Sequence, residues 1–175
     1  MAILSPLQRK FVLHWGEMAS WWGISRSVAQ VHALLYILGD PVHAEAISEA
    51  LDLARSNVST SLKELQSWGI IRTVHVMGDR RDHFESLGDV WEMFRRVLDE
   101  RRKRELEPTI RLLRECSEEA SGAGKSESGT KKRVDALLEF METADAWHVQ
   151  SQRLSPAMFV RLMKMGGRIG SLLGN

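Results

Sequence analysis

Apolar residues recur with helical spacing along most of this chain, and with strand spacing once. Leu7, Phe11, Met18 and Trp22 mark one stripe of a helix over residues 7–22, with His14 and Trp15 near its middle and Gly23 closing it. Val28, Val31, Leu35 and Leu38 mark a second helix, which Ser25 or Ser27 can cap and Gly39-Asp40-Pro41 breaks. A short helix over residues 44–51 carries Ile47 and Leu51 on one face. Asp52-Leu53 turns the chain, and a further helix runs from about residue 55 to 68 with Val58, Leu62 and Leu65 inward. Gly69 falls where a positive φ is wanted, and Ile70 can fold back on the last turn.

The period then drops to two. Residues 71–76 (IRTVHV) alternate and are β-branched, so they predict a strand. Gly78-Asp79-Arg80-Arg81 predicts a turn with two cations at its tip, and residues 82–85 the returning strand. Val42 is placed as a short third strand beside this hairpin. Helices resume at Gly88-Asp89, with Val90, Phe94, Val97 and Leu98 as the apolar side. The run 100–108 is almost wholly charged, and Pro108 should kink or interrupt it. Ile110, Leu113 and Cys116 resume the stripe. Residues 121–130 (SGAGKSESGT) predict a flexible loop. A helix over 131–151 turns Val134, Leu137, Leu138, Met141 and Ala144 inward. Ser155-Pro156 opens a last short helix lined by Met158, Phe159, Leu162 and Met163 and ended by Gly166-Gly167.

The predicted class is mainly α with a small β wing (α+β), a winged helix-turn-helix flanked by helical dimerisation elements. Residues 1–88 form the winged domain with its supporting N-terminal helices, and 89–175 a helical dimerisation region. The helices after the wing carry more apolar stripe than a small winged domain can cover, so they are expected to pair antiparallel and to join a second copy. Their packing back on their own domain is the alternative.

What the outward face of the 55–68 helix carries turns this fold into a functional reading. Ser56, Thr60, Lys63 and Ser67 lie opposite the apolar stripe, flanked by Asn57 and Ser59. Short polar side chains with one cation suit a helix in a major groove, where bulk would block entry. Arginines on an adjacent hairpin suit phosphates or the narrow minor groove. Net charge is only +1, so any DNA binding must rely on a local patch. Between Arg55 and Arg81 there is such a patch, where Arg55, Lys63, Arg72, Arg80 and Arg81 face only Glu64 and Asp79. A winged module that binds only protein, with a solvated polar face, is the plainer reading.

Two stretches carry a resemblance. ARSNVSTSLKELQSWGIIRTVHVMGDRRDHFES, followed by DVWEMFRRVLDERRKRELEPTIRLLRE, resembles the GbsR/MarR-type transcriptional regulators, most strongly over residues 51–115. The resemblance implies a homodimeric winged-helix repressor of the cytoplasm that reads a pseudo-palindromic operator in double-stranded DNA. It also implies a small-molecule effector of the choline or glycine betaine kind. Carried over by position, it puts Arg55, Ser56, Asn57, Ser59, Thr60 and Lys63 at the major groove and Arg80 and Arg81 on the wing. The two arginines are the first choice, because charge at a hairpin tip has few structural uses. One departure is Ala54, where the family offers an N-cap serine. Losing that oxygen costs about 1 kcal/mol, and Ser56 or Asp52 is expected to compensate and shift the helix start.

Six tryptophans are many for 175 residues. A cleft gathering Trp22, Trp91 and Trp147 would suit a quaternary ammonium ligand, against the simpler reading of core and interface filling. Cys116, the one cysteine, excludes an intrachain disulfide framework and sits on an apolar stripe that favours an inert thiol over a redox sensor. No basic stretch followed by an apolar run opens the chain, and none of its runs approaches a membrane span. His43-x-Glu45 begins a zinc deaminase pattern that nothing completes, and no phosphate loop, dinucleotide fingerprint or nucleophile elbow occurs. Neither an enzyme nor a cofactor is expected.

Overall fold

A capping box starts the first helix. The Ser5 hydroxyl accepts the Gln8 N–H at 3.2 Å, and the Gln8 side chain accepts the Ser5 N–H at 2.9 Å. The computed structural model describes residues 4–123, 127–155, 157, 158, 161 and 165. Their elements run α1 (Pro6–Trp21), α2 (Arg26–Leu38), β1 (Val42–His43), α3 (Ala44–Leu51), α4 (Arg55–Ser67), β2 (Ile71–His75), β3 (Asp82–Ser86), α5 (Val90–Arg101), a π-helical segment (Arg102–Leu106), α6 (Glu107–Gly122) and α7 (Ser128–Gln152). They fall into two compact units that divide between Val97 and Leu98, inside α5; the division expected from sequence lies just before that helix.

The first unit is a three-stranded antiparallel sheet, ordered β1-β3-β2, with helices α1–α4 around it. Val42 pairs with Phe84 and His43 with His83, so the short third strand expected at Val42 is present. Its core centres on α2, where Val28, Val31, Leu34 and Leu35 are buried with Ile47, Val58, Leu65 and Ile70. Each fully buried Leu or Ile contributes about 1.5–3 kcal/mol. Ala29, Gln30 and Ala33 are buried as well, so α2 is enclosed on nearly all sides instead of along one stripe.

Two predicted faces need correction here. In α1 the buried residues are Val12, Gly16 and Ala19, while Leu7 and Trp22 are exposed and Phe11 and Met18 half-buried. The small residues face inward because they let α1 lie close to α2: a Cβ at Gly16 would stand 2.6 Å from Gln30 Cγ. In α5 it is Met93 that is buried, with Val90 and Phe94 exposed.

In the second unit α6 and α7 are antiparallel. Arg102 meets Asp145, Arg114 meets Glu142, and Ser117 meets Asp135, so the partner number falls as the first rises. Pro108 interrupts the hydrogen-bond ladder, as expected, but by converting the preceding turn to π geometry while the backbone stays helical on both sides. The Thr109 hydroxyl donates to the Glu105 carbonyl at 2.6 Å. The loop predicted over 121–130 is shorter, since α6 runs through Gly122 and α7 begins at Ser128. Within α7, Leu137 and Ala144 are exposed, contrary to their predicted burial, and His148 and Ser151 are buried instead. Cys116 is half-buried on α6. Most of the last helix predicted after Ser155-Pro156, with its Gly166-Gly167 end, lies outside the described residues.

Candidate nucleic-acid interface

The candidate reading helix is α4. Val58, Ser61, Leu62 and Leu65 bury one side of it, which leaves Arg55, Ser56, Asn57, Ser59, Thr60 and Lys63 exposed together on the other. The helix starts at Arg55 after Ala54, and no side chain caps it. Neither Asp52 nor Ser56 compensates. Asp52 instead takes a left-handed conformation, φ 52°, to close α3. The main-chain N–H groups of the first α4 turn therefore have no capping side chain.

A left-handed glycine stops α4. Gly69 has φ 67°, its N–H donates to the Gln66 carbonyl at 2.9 Å, and the Ile70 N–H reaches back to Leu65 at 3.2 Å. Ile70 is buried beneath that turn. This is a Schellman end with its apolar contact, as the sequence predicts. The Arg96 guanidinium from α5 donates to the Gly69 carbonyl. The Gln66 amide donates to the Thr73 hydroxyl at 2.9 Å, tying the end of α4 to β2.

The wing is β2 and β3, paired from Ile71–Ser86 at its base to His75–Asp82 near its tip. Arg72 and Glu85 sit opposite each other in that register and form an ion pair. The tip is a tight turn in which the Asp79 N–H donates to the Val76 carbonyl at 3.1 Å and Gly78 takes φ 86°. Arg80 and Arg81 are both exposed, but their settings differ. Arg80 has no ion-pair partner among the described residues. Arg81 is held by Asp79, whose carboxylate accepts the Arg81 main-chain N–H at 3.0 Å and its Nε–H at 2.9 Å. The guanidinium beside it holds the Asp79 carboxyl well below the usual carboxylate range. So one of the two tip arginines does have a structural use, against the expectation.

Two histidines brace the base of the tip. Buried His83 donates from Nδ1 to the Arg81 carbonyl at 3.0 Å and sets Nε2 3.5 Å from Asp79. His43 caps α3, its Nδ1 accepting the Ala46 N–H at 3.2 Å, and its ring meets that of His83 edge-on at 5.4 Å. The sequence reading missed Asp79, His83 and His43. Asp79 and Arg81 lie in the turn before β3 and only His83 lies in the strand, so strand alternation in the sequence could not have grouped them.

Trp22 and Trp91 lie in the first unit and Trp147 in the second. All three are exposed, so none of them fills the core of the chain. Among the described residues no group of His, Cys, Asp and Glu is placed to hold a metal ion, and no helix is long and apolar enough to cross a membrane.

Residues 22–82, which hold α2, the sheet up to the start of β3, α3 and α4, match the MarR family. The chain is 21% identical over 145 residues, 81% of its own length and 80% of the relative's, to the HTH-type transcriptional repressor GbsR of Bacillus subtilis (strain 168). A solved structure described as that of a transcriptional regulator superposes with a TM-score of 0.57 at 23% identity, covering 85% of this chain and all of the other. The winged-helix part of this chain accordingly resembles the MarR family, and its fold is that of the solved transcriptional regulator.

Proposed function

We propose that the chain is a homodimeric repressor that reads a pseudo-palindromic operator, with α4 in the major groove and the β2–β3 wing beside it. The observation that carries this reading is the outward face of α4. Six polar or basic side chains, Arg55, Ser56, Asn57, Ser59, Thr60 and Lys63, are exposed there side by side. The uncapped first turn of the same helix adds main-chain donors that a phosphate can fill. Arg80 on the wing supplies a cation with no partner of its own among the described residues, and Arg81 a second that is pre-positioned by Asp79.

Dimerisation is supported by apolar surface that the chain leaves open within each unit. Trp21 and Leu7 on α1 are exposed in the first unit, as are Leu112, Phe140 and Trp147 in the second. A two-fold dimer presents two reading helices to half-sites about one helical turn apart. The repressing sign follows the GbsR relative. A choline- or betaine-like effector follows the family resemblance, since tryptophan faces attract quaternary ammonium groups. Tryptophan quenching that saturates with choline or betaine supports that effector, and a flat titration with both removes it.

The test of the main reading is selection from random duplexes with the purified protein. A two-fold-symmetric enriched sequence, bound with a steep salt dependence, is expected. A folded dimer that enriches nothing and binds duplex weakly at low salt would instead identify a protein-binding winged module.

A further inference from the structure

The wing tip carries an exposed apolar residue. Met77 is fully exposed, and its neighbour Val76 is partly so. Met77 occupies the first corner of the turn that the Asp79-to-Val76 hydrogen bond closes. The tip is also held in place. Asp79 grips Arg81, and His83 braces both from within the sheet. An unbranched, polarisable side chain is thus presented at the end of a braced hairpin, three residues from Arg80.

We propose that Met77 is a minor-groove wedge that sets sequence preference at the positions the wing covers. The inference rests on the DNA-binding reading above. Apolar wedges of this size enter between base pairs from the minor groove and partly unstack them, at sites where cations already approach the phosphates. The cost of unstacking depends on the step, and pyrimidine–purine steps such as TA and CA/TG open most easily. Met77 therefore favours such a step at each flank of the operator, outside the bases that α4 reads. The brace matters because a tip already ordered loses little freedom on binding.

The test compares wild type, M77A, M77L and R80A on the duplex selected by the wild-type protein, across salt, with energy transfer between the duplex ends to report bending. Met77 is fully exposed, so M77A should melt with the wild type. M77A is expected to bind about tenfold more weakly with an unchanged salt slope, because no phosphate contact is lost. It should also lose the flanking-step preference and the bend, which M77L should largely keep. R80A should lower the salt slope by about one. Wild-type binding with M77A equal in affinity, flanking preference and bend overturns the wedge alone. No duplex binding by the wild type overturns the DNA-binding reading and the wedge together.

Discussion

Asp79 and Arg81 are joined twice over, through the main chain and through the side chain. The carboxylate accepts the Arg81 main-chain N–H at 3.0 Å and the Nε–H at 2.9 Å. A basic wing tip gives up part of its charge to this clasp and gains a fixed geometry, while the Arg81 side chain stays half exposed. D79A separates the two effects. Binding to random duplex should rise, because a negative charge near the phosphates is gone. Discrimination should fall, because the tip is no longer braced. We expect the ratio of selected to scrambled affinity to drop about tenfold, read by competition titration. A ratio that stays at the wild-type value would leave the clasp without a positioning role.

Arg80 has no such tie, and its removal should look different. R80A should weaken binding to every duplex by a similar factor and reduce the salt slope by about one. Melting should stay within about 0.5 kcal/mol of wild type, as for other exposed side chains without partners. If R80A alters sequence preference and leaves the salt slope alone, Arg80 contacts a base edge.

The winged unit was legible because its signals are local and agree with one another. The α4 periodicity, the Gly69 stop and the period-two run after it fix α4 and the wing to within a residue. Faces of α1, α5 and α7 were not legible in the same way. These helices carry large apolar residues on more than one side, and periodicity weighs size without knowing which side meets the chain's own core. Gly16 and Ala19 turn inward in α1 because close approach to α2 needs small residues, and Trp21 is left outside. The loop read at 121–130 rested on glycine and serine content. A glycine costs a helix only about 1 kcal/mol against alanine, and α6 and α7 extend into the segment from both sides. On α4, Arg55, Ser56, Asn57, Ser59, Thr60 and Lys63 are exposed as read, but Gln66, which ties the helix to β2, was not singled out, and on the wing the Asp79–Arg81–His83 group was read as a charged turn and not as a brace.

The α1–α2 contact predicts a penalty at Gly16. A Cβ there would stand 2.6 Å from Gln30 Cγ and 3.3 Å from Arg26 Cγ, and Gln30 is buried. Alanine gains about 1 kcal/mol in helix propensity and loses about 1–3 kcal/mol to overpacking. We expect the overpacking to win, because Gln30 is enclosed and the clash falls on the middle of its side chain. G16A should lower the urea midpoint, and Q30A should recover most of the loss in the double variant. An unchanged midpoint in G16A would mean that Gln30 moves aside freely.

His32 sets the pH dependence of the winged unit. Its Nε2 lies 3.3 Å from the Ser86 hydroxyl, which also reaches the Leu87 carbonyl and the Met93 sulfur. Burial of the ring pushes His32 from its ordinary 6.5 down to about 4. The unfolded chain therefore takes up a proton at His32 below about pH 6.5, while the folded chain resists until about pH 4. Between those values unfolding binds a proton, so stability falls as pH falls, by at most ~1.4 kcal/mol per unit. The carboxylates held low by cations act in another window. Asp99, paired with Lys103, and Asp135, paired with Lys131, both start from an ordinary 3.8 and are shifted below it, so their contribution is lost at lower pH. Urea denaturation of wild type and H32Q from pH 7 to 4.5 isolates the histidine. The wild-type curve should fall more steeply than that of H32Q, narrowing any gap between them as acid is added. Parallel curves would mean that His32 charges as readily in the fold as outside it. The wing strand β3 and the buried Met93 of α5 would then meet at a site open to water.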